Sequence, residues 1–221
     1  MKSKNYDEFV EKFKPKLTTD ECWTPQEIKD KIADYVETKY GIEKSKHFDP
    51  FYYGGDYEHE DYTGRVVVGN PPFSILSKIV RYYMRNNIKF FLYGPTLTML
   101  NIAPEQPIAK IIVGCSIIYE NGANVNTSFM TNLEAPCVRS DPFLYSISNK
   151  PKTKNKIRKF PENIKTARDF VKASKRGEEI KYTDFMHTKD ATDTQTGEIF
   201  KIFGGGIKCD IIDLSGATPR S

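Results

Sequence analysis

No apolar run in this 221-residue chain approaches the ~20 residues a helix needs to cross a bilayer, and charge begins at Lys2, so neither a membrane span nor a secretory leader is expected. Cysteine is scarce and scattered. Cys22, Cys115, Cys137 and Cys209 form no Cys-x-x-Cys pair, and His47, His59 and His187 lie far from metal-ligand spacing. That excludes a zinc ribbon and a disulfide framework and predicts a reduced, metal-free, soluble protein of the cytoplasm. Internal repeats are absent too. The length suits one well-cored domain with an appendage and is too short for two large ones. A net charge of +4 is mild and becomes informative only through where it sits.

What the sequence does contain is concentrated at residues 66–73, Val-Val-Val-Gly-Asn-Pro-Pro-Phe. A short β-branched run reads as a buried parallel strand, and Gly69 lets the backbone turn where the side chains become polar and aromatic. Ligands of open α/β sheets bind at that strand end. Two prolines fix φ and remove two donors, so the loop offers acceptors, the Asn70 side chain and the Pro71 carbonyl, without competing N–H groups. Such a loop suits a primary amino group, and Phe73 offers a flat face for a planar base.

This string resembles the Asn-Pro-Pro-Phe motif of S-adenosylmethionine-dependent amino-methyltransferases, above all those that methylate the exocyclic nitrogen of adenine in DNA. The resemblance implies catalytic roles for Asn70, Pro71, Pro72 and Phe73. Other pieces follow in family order. Glu21-Cys22-Trp23-Thr24-Pro25 resembles the Thr-Pro element that opens an N-terminal helix beside the cofactor, with Thr24 as N-cap, Pro25 at the first helical position and Glu27 closing a capping box. The stretch Asp49-Pro50-Phe51-Tyr52-Tyr53-Gly54-Gly55-Asp56 resembles the cofactor loop with its glycines displaced by about one position. Trp23, Thr24, Pro25, Asp49, Phe51, Gly54, Gly55 and Asp56 are therefore expected to contact S-adenosylmethionine.

One departure from the family is large. Only ten residues, Asp56 to Arg65, separate Gly55 from Val66, where the family places several strand–helix units and a ribose-binding acid. A parallel crossover needs about a dozen residues or more, so the link is expected to cross without a helix, leaving the cofactor strand and the Asn-Pro-Pro-Phe strand as neighbours. Glu58, Glu60 and Asp61 are the available replacements for the missing acid.

Beyond the motif, Ser74 is expected to cap a helix ended by Asn86-Asn87. Lys89–Tyr93 reads as a strand turned by Gly94-Pro95, Ala109–Val113 as another, and 117–130 as a hairpin closed by Asn121-Gly122. Its second arm places Asn126 toward the substrate. The charge excess resides in 150–181, with twelve basic residues against four acids. There Lys152, Lys154, Lys156, Arg158 and Lys159 form an extended arm suited to phosphates, and a helix is expected from about Pro161 to Lys175. Phe203-Gly204-Gly205-Gly206 is expected to turn into a final strand.

The expectation is thus an α/β fold. It would be a reduced Rossmann-like methyltransferase sheet, mostly parallel with a terminal antiparallel hairpin, in three segments: N-terminal helical residues 1–20, core 21–148 and basic extension 149–221. It looks like a minimal enzyme of phage or prophage type, working in a bacterial or phage-infected cell on double-stranded DNA with the base flipped. The competing expectations are a catalytically inactive nucleic-acid-binding relative, or an amino-methyltransferase acting on RNA or protein.

Overall fold

The computed structural model describes residues 23–52, 55–147, 163–192, 194 and 199–209. The expected N-terminal helical segment 1–20, Gly54 of the glycine pair, and the arm carrying Lys152, Lys154, Lys156, Arg158 and Lys159 lie outside the described residues. In chain order the elements are α1 (Gln26–Tyr40), β1 (His47–Phe48), β2 (Val66–Gly69), α2 (Leu76–Arg85), β3 (Phe90–Pro95), β4 (Ala109–Ile118), β5 (Asn124–Thr131), β6 (Val138–Arg139), α3 (Pro142–Ser146), β7 (Ile164–Thr166), α4 (Ala167–Lys175), β8 (Lys181–Tyr182), β9 (Phe185–Thr192) and β10 (Ile199–Cys209).

Seven strands form one sheet in the order β1-β2-β3-β5-β4-β6-β8, and β7-β10-β9 form a second, antiparallel one. In the large sheet β1, β2, β3, β4 and β6 run one way and β5 and β8 the other, so it is mixed but mostly parallel. The alternation along β3 builds both faces of its core. Phe90 and Leu92 pack with Leu76, Ile79, Val80 and Tyr83 of α2 and Phe170 of α4. Phe91 and Tyr93 pack on the other face with Ile28, Ile32, Tyr35 and Val36 of α1. Such two-sided burial is why these strands read as continuous apolar runs.

Local differences from the sequence reading have identifiable causes. Helix α1 begins at Gln26, one residue later than expected, with an extended Pro25 (φ −54°, ψ 142°) at its cap position and no side-chain cap. The Thr24–Glu27 capping box therefore does not form, and Thr24 is buried with its hydroxyl unpartnered among the described residues. A 3₁₀ turn, Phe73–Ile75, precedes α2, so Ser74 lies inside that turn instead of capping the helix. Gly94 and Pro95 continue β3, paired with Ser128 and Thr127. β4 is one long strand with an irregularity between Ile111 and Cys115, where Gly114 takes φ +62°. The hairpin turn at Asn121-Gly122 forms as expected, with Gly122 N–H donating to the Tyr119 carbonyl at 2.8 Å. The hairpin is not terminal, however, because β6 and β8 extend the sheet beyond β4.

Among the described residues only 167–175 of the expected 161–175 helix is helical, because Ile164–Thr166 pairs with β10 and Asp169 accepts from Thr166 N–H (2.8 Å), fixing the start of α4 at Ala167. Gly204 and Gly205, at φ +82° and +76°, form a bulge inside β10. A Cβ at either would strike Leu97 or Asn101.

The link from Asp56 to Arg65 crosses without a helix and is clamped by tyrosines. Tyr62 Oη donates to the Tyr57 carbonyl (2.6 Å) and meets Tyr83 Oη (3.3 Å), while Tyr82 of α2 donates to the Glu58 carbonyl (2.8 Å). Glu58 pairs with Lys78 at 2.7 Å, and Glu60 accepts from Tyr52.

Among the described residues two basic side chains are buried in the core. Arg139, 1% exposed, bonds Glu134 (2.9 Å), Asp141 (2.8 Å) and the Tyr35 hydroxyl (3.0 Å), joining α1, β6 and the start of α3. Lys110, also buried, donates to the carbonyls of Leu100 (3.2 Å) and Ile102 (2.8 Å). Burial pushes its amine down to about 7, and burial with nearby Lys110 pushes His187 down to about 4. Between the folded and unfolded values the unfolded chain holds a proton that the folded chain does not, so stability rises with pH there. Stability should accordingly climb from pH 7 to 9 by up to about 1.4 kcal/mol per unit, measured by urea unfolding, and Lys110→Met should flatten that slope. An unchanged slope in the variant would remove Lys110 as its source.

Among the described residues no helix is long and apolar enough to cross a membrane, and no group of three or more His, Cys, Asp or Glu side chains is placed to hold a metal.

Candidate functional site

The parallel register of β1 on β2, His47 beside Val66 and Phe48 beside Val67, carries both chains out of the sheet at the same end. Asp49 and the Gly69-Asn70 turn therefore emerge side by side. The approach is close: a Cβ at Gly69 would fall on the Asp49 carboxylate, with Asp49 Cγ at 2.8 Å and the Phe51 ring at 3.1 Å. From the sequence Gly69 reads as a turn residue; its further reason is this approach of one loop onto the other.

Asp49 has a neighbour at each oxygen. Its Oδ1 accepts from Phe51 N–H at 3.2 Å, and its Oδ2 stands 3.6 Å from Lys29 Nζ on α1. Burial pushes its carboxyl up, opposed by the Phe51 hydrogen bond and by the Lys29 charge. Beside it lies an open cleft of about 180 Å³. Gln26, Lys29, Asp30 and Ala33 line it from α1, His47, Phe48 and Asp49 from β1 and its exit, Val68 and Gly69 from β2, and Tyr93 from β3. Gln26 Nε2 holds Asp30 Oδ1 at 2.8 Å. Burial lowers the pKa of His47, which favours a neutral ring.

On the β2 side Pro71 is buried, and Asn70, Pro72 and Phe73 are half-buried. The Pro72 carbonyl accepts from Ile75 N–H at 3.3 Å, closing the turn into α2. Phe73 packs one side on the core shared with α2, so its ring is partly structural. β5 is antiparallel and starts at the same sheet end; there Asn126 is exposed and its carbonyl accepts from Thr96 N–H at 2.8 Å.

The remaining expected cofactor residues are placed less centrally. Trp23, Thr24 and Pro25 come just before α1, with the Trp23 carbonyl accepting from Glu120 N–H at 3.0 Å; the cleft lining starts one residue on, at Gln26. Gly55 closes a tight turn, N–H to the Tyr52 carbonyl at 2.9 Å, where a Cβ would lie 2.6 Å from the Pro50 carbonyl oxygen. Asp56 is turned into its own loop, bonding His59 at 2.8 Å and Glu58 N–H at 3.0 Å. The sequence reading missed Gln26, Lys29, Asp30 and Ala33. Their signal was present as an i, i+3, i+4, i+7 stripe flanking the apolar stripe of α1.

A second surface is basic. Arg168, Lys172 and Lys175 are exposed and fall on one face of α4. None of the three has an acid partner among the described residues, whereas Lys31 and Lys29 of α1 and Lys78 and Arg81 of α2 are each paired with one.

Comparison of the chain with protein-family models, curated proteins and solved structures gave no match.

Proposed function

We propose that this protein transfers a methyl group from S-adenosylmethionine to the exocyclic amino group of adenine in DNA, with the base flipped into the Asn70 loop. The observation that carries the reading is the convergence of the Asp49 and Asn70 loops at one sheet end, pressed together at Gly69. Adjacency of their strands is what a methyltransferase sheet without its outer units would retain, and the β4–β5 hairpin provides the antiparallel partner of β3.

The donor set fits part of the cofactor. Asp49 and the cleft beside it suit the charged amino-acid end, but about 180 Å³ is small against the roughly 300–1,000 Å³ of full ligand pockets. When bound, S-adenosylmethionine supplies an electrophilic methyl. The chain's own part is to accept: the Asn70 side-chain oxygen and the Pro71 carbonyl take the two N–H groups of the adenine. That draws its nitrogen lone pair out of the ring without a charged base, and the proton released from the methylated nitrogen passes to solvent. Phe73 holds the ring by its exposed side.

Calorimetric titration with S-adenosylmethionine and S-adenosylhomocysteine tests this, together with transfer of labelled methyl to adenine in DNA. Binding is expected at micromolar or weaker, about 8 kcal/mol or less, because the short Asp56–Arg65 link leaves no room for the family's ribose-binding units. Absence of heat and thermal shift at millimolar cofactor would favour a second reading, nucleic-acid binding without methyl transfer, which the small cleft also suits.

Either reading gives the α4 stripe a role on phosphates. Its three cations span about 10 Å of helix at 1.5 Å per residue. Replacing Arg168, Lys172 and Lys175 by alanine should weaken binding to all sequences alike and reduce the salt slope by roughly 0.9 for each phosphate that is no longer neutralised. A slope identical to the parent's would identify the stripe as a solvated helix face.

A further inference from the structure

We infer that Lys29 is the residue that receives the ligand's carboxylate, opposite Asp49, so that the cleft recognises a zwitterionic α-amino-acid end; this rests on the methyl-transfer reading above. Lys29 stands in the first turn of α1, where a cation opposes the helix dipole. Its position therefore needs a partner to offset that cost. The partner it has is poor: at 3.6 Å the separation from Asp49 exceeds the about 2.7–2.9 Å of a charge-assisted bond, and both side chains are about one-third exposed. An arriving carboxylate competes for Lys29 with little to displace. The same carboxylate would face the first turn of α1, which carries no side-chain cap and whose positive end favours an anion.

The ligand's ammonium then meets Asp49, whose Oδ2 is no longer engaged by Lys29, while Oδ1 stays bonded to Phe51 N–H. Charge over the whole cleft is consistent. Asp30 and Asp49 contribute −2 and Lys29 +1, a sum of −1. S-adenosylmethionine, with sulfonium and ammonium against one carboxylate, carries +1. The cleft's volume suits the amino-acid end, and discrimination between ligands is assigned to that end.

Lys29 is a binding residue, remote from the methyl. Three ligands separate the possibilities: S-adenosylmethionine, S-adenosylhomocysteine, and 5′-methylthioadenosine, which keeps the nucleoside and lacks the amino acid. The parent should bind S-adenosylhomocysteine at least 10-fold more tightly than methylthioadenosine. Lys29→Met should erase most of that preference, leave methylthioadenosine affinity unchanged, raise the KM for S-adenosylmethionine about 10-fold and spare kcat. Lys29→Arg should restore much of the affinity. Unaltered S-adenosylhomocysteine binding in Lys29→Met, or equal weakening of both ligands, would overturn the role of Lys29 and leave methyl transfer standing. A parent that binds none of the three ligands would overturn the methyl-transfer reading itself. Since Lys29 is partly exposed on a helix, its variants should melt with the parent.

Discussion

Turnover of adenine methylation in Asn70→Ala should fall about 100-fold, equivalent to about 2.7 kcal/mol of transition-state stabilisation, with nucleic-acid affinity nearly intact. The reason lies in when the acceptor matters. In the proposed chemistry the amino N–H groups become more acidic as the nitrogen attacks, and an acceptor aimed at them gains strength at that moment. Single-turnover methylation measured beside binding isotherms separates the two effects. If Asn70→Ala unfolds the protein, or methylates as fast as the parent, the loop is a structural turn and the proposed chemistry fails. Phe73→Ala should behave differently, since that ring packs on the α2 core as well as facing outward; part of its defect should appear as reduced stability.

The largest stability effect is expected far from the cleft. Arg139→Met removes the cation from a buried group containing Asp141 and Glu134, and it strips a partner from the hydroxyl of Tyr35. Breaking a buried pair from one side costs about 3–5 kcal/mol. Asp141 is further committed, because its other oxygen caps α3 through Leu144 N–H at 3.0 Å. Urea unfolding should register the full loss, while activity per folded molecule at saturating cofactor should be unchanged. A loss under about 1 kcal/mol would mean that water or rearrangement satisfies the orphaned carboxylate.

The parts of this architecture legible in the sequence were those set by local chemistry. Val66–Gly69 read as a strand because β-branched residues run straight into a glycine; Asn121-Gly122 read as a hairpin turn because both residues tolerate positive φ. The helix-free passage from Asp56 to Arg65 followed from chain length alone. What escaped was set by tertiary partners. Ile164 matched a helical apolar stripe yet belongs to β7, because β10 offers it a ladder and Thr166 with Asp169 starts the helix later. Lys29 looked like any surface lysine until β1 brought Asp49 beside it. Arg139 carried no local sign of burial, its partners lying as far away as Tyr35 and Tyr40.

The tyrosine clamp has a mechanical consequence. Helix α2 starts immediately behind Phe73, and its later turns, through Tyr82 and Tyr83, grip the segment that follows the Asp49 loop. One ten-residue helix, about 15 Å long, thus joins the Asn70–Phe73 turn at one end to the tether of the Asp49 loop at the other. Under the methyl-transfer proposal, the two loops that would hold the reacting partners are both attached to this single helix.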